Sequence, residues 1–426
     1  MTITAATDAR DDATCVHRPT AVIVSRQRII GATNGSSAYL LAVARTLTAS
    51  GFNVDLVQPS PLIAGRTPIM RLLPDLALFR HHRIRGGWRA GSTVIFSQPM
   101  IWWSGLIGAC RSILRRMGIC GAWVADRPAP YAVATPWTDA DLRFAAKHIP
   151  GDTALVIADY VFVTPVFAVI PAGARTAILM HDLFHARDGK GADSVAMITR
   201  DQEIALLGTA DAVLAIQAEE CEFIQQHVPS TNAVLVPMPA TPVDKPQPGD
   251  AEMVLFVGSM TAPNSVGLQW FLDGIWPTIR AARPSVTLCV TGTVCRAFSD
   301  PVEGVEFAGL VPELESYYRR AAVVISPLTF GSGLKIKLIE AMAAGKAIVA
   351  TSISLQGVEA ICEPALRRAD EPAQFADAVV ELLDDAGSRL HLGQAALDVV
   401  ANHFAVGPCH QDLREWLASE WVADAT

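Results

Sequence analysis

The stretch at residues 326–351, SPLTFGSGLKIKLIEAMAAGKAIVAT, sets a glycine-rich turn between a buried strand and a helix that starts near Lys335. Gly331 and Gly333 carry no side chain, so the backbone there can approach a ligand closely, and the first helical N–H groups point into the same space. Lys335 and Lys337 flank that helix start. Positive side chains at this end oppose the helix dipole, which favours anions. Their placement makes sense if a diphosphate lies between the ammonium groups and the amides. Glu340, about one turn further on, is placed to accept hydrogen bonds from ribose hydroxyls. The plain alternative is a strand–turn–helix with solvated lysines. The basic pair, the acid one turn later and the tight AMAAG helix end weigh against it.

Such a turn must be carried by a parallel sheet, and the pattern of the chain supplies two. Short β-branched runs alternate with longer helical patterns from end to end, the signature of α/β architecture. In the first half the strand candidates are AVIVS (21–25), NVDLV (53–57), TVIF (93–96), ALVIA (154–158), AILM (177–180), AVLAI (212–216) and AVLV (233–236). The first runs through the turn GATNGSS into the helix SAYLLAVARTLTAS, which Gly51 ends. PMPATPVDKPQPGDA (237–251) breaks the alternation with prolines and polar residues, as an exposed linker does. The pattern then restarts with MVLFV, VTLCV, VEFA, VVISP and AIVAT, with helices between them and three more at the C-terminus. The fold class expected is α/β, two Rossmann-like domains facing across a cleft, with ligands at the carboxyl ends of the strands. The boundaries expected are a disordered lead-in at 1–18, an acceptor-side domain at 19–240 and a linker at 241–251. A nucleotide-sugar domain follows at 252–405, and a helix at 406–426 packs back on the first domain through Trp416.

The segment GSGLKIKLIEAMAAGKAIV resembles the donor-binding signature of glycosyltransferase family 4, which has the GT-B fold. FVGSMTAPNSVGLQWFLDGIWPTI is similar to that family's first βα unit of the second domain, and VEFAGLVPELESYYRRAAVVISP also matches. The likeness is close over residues 253–360 and continuous but weaker over the N-terminal half. It implies a metal-independent, retaining transfer from a nucleotide-sugar donor, with no cofactor, to a saccharide, lipid-linked or other glycoconjugate acceptor. Carried over by position, Lys335 and Lys337 stabilise the departing diphosphate, and Glu340 holds the ribose. Gly258, Ser259, Gly331, Gly333 and Leu334 are substrate contacts, and Gly309, Leu310 and Val311 meet the nucleotide base. Two departures stand out. Ser332 replaces the acid that many members carry eight residues before the ribose glutamate, and Asn264 stands where members often have a basic residue.

In the first domain the resemblance places the turn at Asn34, Gly35 and Ser36 against the donor phosphates and the acceptor. His181 ends the strand AILM and is expected near the transferred sugar, with Asp182 or Arg187 sharing that site. Gln217, Glu219 and Glu220 follow the strand AVLAI, where they border the cleft or simply open a helix. Two rival functions stay open on the same fold: a nucleotide-sugar epimerase or hydrolase, and a catalytically degenerate binding module.

Composition narrows the classes further. With 426 residues, a net charge of −8 and a pI near 5.7, the chain lacks the basic balance of a nucleic-acid protein. Its eight cysteines, Cys15, Cys110, Cys120, Cys221, Cys289, Cys295, Cys362 and Cys409, form no C-x-x-C pair and read as small buried hydrophobes in a reducing compartment. No metal site is expected. Asp139-Ala140-Asp141 imitates a D-x-D motif, but it follows Thr138 and reads as a helix cap with helix-favouring acids. The acidic N-terminus lacks the apolar run of a secretory signal, and no twenty-residue apolar stretch exists, so a cytoplasmic location is expected. PMIWWSGLIGACRSILRRMGICGAW mixes Trp102, Trp103, Leu106, Ile107, Ile113 and Leu114 with Arg111, Arg115 and Arg116. That mixture suits either a helix packed on the first sheet or peripheral contact with an anionic membrane face.

Overall fold

The computed structural model describes residues 18–65, 67–118, 121, 123–124, 132–186, 198–311, 313–331 and 334–421. In the first domain the strands are β1 (Thr20–Val24), β2 (Asn53–Gln58), β3 (Ile69–Arg71), β4 (His81–Ile84), β5 (Gly87–Ala90), β6 (Thr93–Phe96), β7 (Thr153–Asp159), β8 (Arg175–Leu179), β9 (Ala212–Ala215) and β10 (Asn232–Leu235). Its helices are α1 (Gly35–Ala49), α2 (Pro99–Arg116), α3 (Asp139–His148), α4 (Arg200–Leu207) and α5 (Ala218–His227). Seven strands form one parallel sheet in the order β10-β9-β8-β7-β1-β2-β4. The strand order reverses between β1 and β7, which opens a crevice at their carboxyl ends. Successive side chains of β1 go to opposite faces: Ala21 and Ile23 join one apolar layer, Val22 and Val24 the other.

The second domain repeats the plan. It has β11 (Asp250–Val257), β12 (Thr287–Thr291), β13 (Val305–Gly309), β14 (Ala321–Ser326), β15 (Ala347–Ala350) and β16 (Arg367–Arg368), in the parallel order β13-β12-β11-β14-β15-β16. The helices α6 (Ala262–Gly274), α7 (Trp276–Ala282), α8 (Leu314–Arg320), α9 (Ile336–Ala343), α10 (Glu359–Cys362), α11 (Pro372–Asp384), α12 (Ala386–Val399), α13 (Val406–Cys409) and α14 (Gln411–Trp421) complete it. Val254 and Phe256 feed one core, Leu255 and Val257 the other. Gly267 lets α6 lie against the end of β14, since a Cβ there would stand 2.6 Å from the Pro327 carbonyl oxygen. The last helix, α14, sends Leu413, Trp416 and Leu417 into the first domain's core. The preceding His410 bonds Thr46 and the Pro237 carbonyl.

Several expectations need correction. TVIF is a strand, but it belongs to a separate antiparallel sheet, β3-β6-β5, and not to the parallel one. Ala90 pairs with Thr93 across a two-residue turn, and Gly91 takes the positive φ of 58° that a tight hairpin needs at its first position. The place beside β2 is taken by His81–Ile84, whose histidines and arginine hid an edge strand. His82 points inward, bonds Gln58, and is pushed down to about 3 by burial. The proline-rich segment at 237–251 is exposed or half-buried along its length and is tied down at two carbonyls. Lys346 Nζ donates to the Gln247 carbonyl at 2.9 Å, Arg389 Nε donates to the Pro248 carbonyl at 2.8 Å, and β11 already begins at Asp250. Cys110 is exposed, unlike Cys221, Cys289, Cys362 and Cys409, while Cys15 and Cys120 lie outside the described residues.

Candidate functional site

A cavity of about 590 Å³ lies at the carboxyl ends of β11, β12 and β14 and is lined by residues of both domains. From the first domain come Thr33, Asn34 and Gly35, the turn that starts α1. Asn34 caps that helix, its side chain accepting from the Ser37 amide at 2.8 Å, which fixes the turn's path. Gly35 faces the second domain directly: a Cβ there would stand 3.1 Å from Ile336 Cδ1.

The opposite wall gathers Gly258, Ser259, Asn264, Leu310, Val311, Gly331, Leu334, Lys335, Lys337 and Glu340. Gly258 packs against Gly292, where a Cβ would come within 2.1 Å of the Gly258 carbonyl oxygen. Gly309 has φ +69° and accepts the Gly292 amide at 2.7 Å, which presents Leu310 and Val311 to the cavity. Asn264 braces its own turn: its amide donates to the Ser259 carbonyl, Ser259 Oγ and Thr261 Oγ1. Ser332, Gly333 and Arg187 lie outside the described residues.

The two lysines differ. Lys335 is the N-cap of α9, with its Nζ 3.5 Å from the Gly331 carbonyl oxygen. Burial lowers its pKa from the usual lysine value, while Asp182 and Glu219 of the first domain act in the opposite sense. An ammonium desolvated at a helix N-terminus and facing acids across a cleft is electrostatically suited to an anionic ligand. Lys337 is half exposed and paired with Glu340 at 2.6 Å, so these two groups engage each other across one helical turn. A ligand must compete with that pair or bridge it.

His181 is not among the residues lining the cavity. It sits behind the first-domain wall with its side chain 7% exposed and its Nε2 2.7 Å from Asp159 Oδ1. Asp159 is fully buried and also accepts from Ser25 Oγ at 2.5 Å and Gln27 Nε2 at 2.7 Å. With an acceptor-only carboxylate opposite it, Nε2 is the protonated nitrogen. Tyr160 stacks on the imidazole at 3.9 Å, and Tyr39 meets it edge-on at 5.4 Å. Tyr160 has φ +77°, an uncommon conformation for a non-glycine residue, and its hydroxyl donates to Ser36 Oγ at 2.9 Å. Ser36 thus ties the cleft turn to His181 rather than lining the cavity. Sequence reading missed Asp159 and Tyr160. The available signal was the pair Asp-Tyr closing a buried strand beside the point where strand order reverses.

Other acids resolve simply. Glu220 is buried in the first turn of α5 and accepts the Ile216 amide, and burial pushes its carboxyl up to about 8. Gln217 and Glu219 face Gly357 of the second domain: a Cβ there would stand 3.3 Å and 4.0 Å from their side-chain oxygens. Asp141 forms a capping box with Thr138 and pairs with Arg85 at 3.0 Å.

Residues 251–385 match the family model described as Glycosyl transferases group 1. An "uncharacterized 44.6 kDa protein in cps region" of Klebsiella pneumoniae is 28% identical over 116 residues, 24% of this chain and 30% of the relative. The match therefore spans less than a third of that relative's length. The fold is similar to that of Anabaena HepE in complex with UDP and glucose, with a TM-score of 0.58, 14% identity and coverage of 95% of this chain and 100% of that one. Sucrose-phosphate synthase from Thermosynechococcus elongatus gives 0.57 at 16% identity, over 96% and 100% of the two chains. S. aureus TarM in complex with fondaparinux, α-GlcNAc-glycerol and UDP gives 0.53 at 16% identity, over 66% and 59%. These are GT-B structures, and the two parallel sheets with a cleft between them are that architecture.

Proposed function

We propose, from the premise that this chain carries a glycosyl transferases group 1 domain, that it is a glycosyltransferase of family 4. In this reading it moves a sugar from a nucleotide-sugar donor to a saccharide, lipid-linked or other glycoconjugate acceptor in the cytoplasm, with peripheral contact to the membrane face. The observation that carries the reading is Lys335: a partly desolvated ammonium at the N-terminus of α9, in a cavity walled by both domains.

When the bond between the anomeric carbon and the diphosphate breaks, its electron pair stays on the phosphate oxygen. Lys335 and the first amides of α9 are preorganised for that charge, so they bind the departing group more tightly than the intact donor. This supports a transfer in which cations of the protein stabilise the leaving group; retention at the anomeric carbon is carried over from the family resemblance. Lys337 and Glu340 exchange their mutual pair for phosphate and ribose on donor binding. Gly258, Ser259 and Gly331 give close backbone approach, Leu310 and Val311 border the base, and Asn264 keeps the β11–α6 turn open. Gly35 and Ser36 shape the acceptor side, with His181 held ready by Asp159.

Incubation with a panel of nucleotide sugars, with and without saccharide acceptors, tests the reading. Sugar transfer that requires acceptor is the expected result. Conversion of the donor without acceptor assigns an epimerase or hydrolase, and binding without turnover assigns a non-catalytic module.

A further inference from the structure

One face of the first domain is built against ordinary surface chemistry. Between Leu76 and Ala125 the sequence holds seven arginines and no acidic residue, in a chain of net charge −8; Arg80 and Arg85 of that stretch pair with Asp55 and Asp141. Within that stretch α2 turns Ile101 and the Trp102 indole toward the protein; the indole N–H donates to the Phe96 carbonyl at 2.7 Å. On its outer side Met100, Trp103, Leu106, Ile113 and Met117 fall at helical spacing, each between 56% and 76% exposed, with the exposed Cys110 in the same row. An amphipathic helix packed on a domain normally turns its apolar stripe inward. This one carries a second stripe outward.

The small antiparallel sheet that precedes α2 carries an exposed apolar face of its own. Ile95 pairs with Ile69 on one side and Trp88 on the other, so the three share one face. Ile69 is 51% and Trp88 66% exposed, whereas Met70 and Val94 on the opposite face are buried. Trp123 adds another exposed ring under the Arg111 guanidinium. Arg71, on the same sheet face as Ile69, and Arg115 of α2 are exposed, while Arg89 is exposed on the sheet's other face. Exposed apolar area of this extent marks an interaction site. Exposed tryptophans, a helix with no acid and flanking arginines match an anionic phospholipid surface, apolar at the acyl boundary and negative at the headgroups. Among the described residues no helix is long and apolar enough to cross a membrane. The surface also adjoins the cleft: Leu73 packs on Gly31, where a Cβ would lie 2.7 Å away, and Asp75 accepts the Ala32 amide, two residues before the capping Asn34.

We infer that α2 and the β3-β6-β5 sheet form one membrane-docking face that rests on anionic lipid and holds the acceptor side of the cleft at the bilayer. This rests on the peripheral membrane contact proposed above and assigns it to named residues; it does not depend on the donor chemistry.

Flotation of the full chain with vesicles tests it, using phosphatidylcholine alone or with about 30 mol% phosphatidylglycerol. The wild type should float with the anionic vesicles and bind pure phosphatidylcholine at least tenfold more weakly. Trp103→Glu/Leu106→Glu and, separately, Arg71→Ala/Arg115→Ala should each lose at least tenfold in anionic binding while keeping the wild-type melting temperature and far-ultraviolet circular dichroism. A wild type that stays at the bottom with both vesicles overturns the inference, as does undiminished flotation of both folded variants. A dimer in solution that Trp103→Glu/Leu106→Glu dissolves, without vesicle binding, gives the face to a second copy and overturns it equally.

Discussion

Gly35 of the first domain and Ile336 of the second stand face to face across the cleft: a Cβ at Gly35 would meet Ile336 Cδ1 at 3.1 Å, close enough that the isoleucine would have to give by a few tenths of an ångström. Ile336 opens α9, so this contact sets how near the first-domain turn comes to Lys335. Because the neighbour is the end of a flexible side chain, Gly35→Ala should be tolerated with less than about a threefold change in kcat/KM. Gly35→Leu should hold the walls apart and cost at least tenfold, on the order of 1.4 kcal/mol. Steady-state kinetics on the two variants check this.

Lys335 and Lys337 should separate in mutants. Lys335→Met removes the desolvated cation and should cut kcat/KM by about a hundredfold or more, with loss of nucleoside diphosphate binding by calorimetry. Lys337→Ala and Glu340→Ala should each cost at least tenfold. Their double mutant should fall short of the summed losses, because each single change also frees the other member of a 2.6 Å pair. Additive losses would show that the pair does not matter to the site.

Asp159→Asn keeps the shape of the carboxyl group and removes the fixed acceptor opposite His181 Nε2. Lower kcat with donor affinity near wild type is the expected outcome, together with a mixed His181 tautomer by nitrogen NMR. Tyr160→Phe should lose only the link to Ser36 and cost less. A wild-type kcat in Asp159→Asn would make the buried dyad purely structural.

Glu220 supplies a pH signature. Its carboxyl is pushed from an ordinary 4.5 up to about 8, mainly by burial, with Asp182 adding to it. Between those values the folded chain holds a proton that the unfolded chain releases. This contribution to stability is therefore fully present below about 4.5 and lost as pH rises through about 8. Glu220→Gln stays neutral, so above pH 8 it should melt several degrees higher than the wild type. Thermal melts across that range measure it; parallel melting curves for the two proteins would contradict the assignment.

What could be seen in the sequence was local. The glycine turn and the lysine pair followed by an acid within 326–351 needed only spacing along one strand–helix unit, and the alternation of apolar runs announced two α/β layers. What escaped was long-range or disguised. Asp159 acquires meaning only by meeting Ser25, 134 residues away, and His181. β4 hid because its exposed positions, His81 and Arg83, look like loop. TVIF has the composition of a central strand, yet a two-residue hairpin commits it to β5. The bracing of Asn264, whose amide is held by three acceptors in its own turn, could not be read from its position alone.

The central claim, that this cleft grips a nucleoside diphosphate through Lys335, is tested most directly by thermal shift of the wild type and Lys335→Met against a panel of nucleoside diphosphates and their sugars. One base should stabilise the wild type, by about 2.7 kcal/mol at a hundredfold excess over Kd, and leave Lys335→Met unmoved. Silence across the whole panel, or equal stabilisation of both proteins, would contradict it.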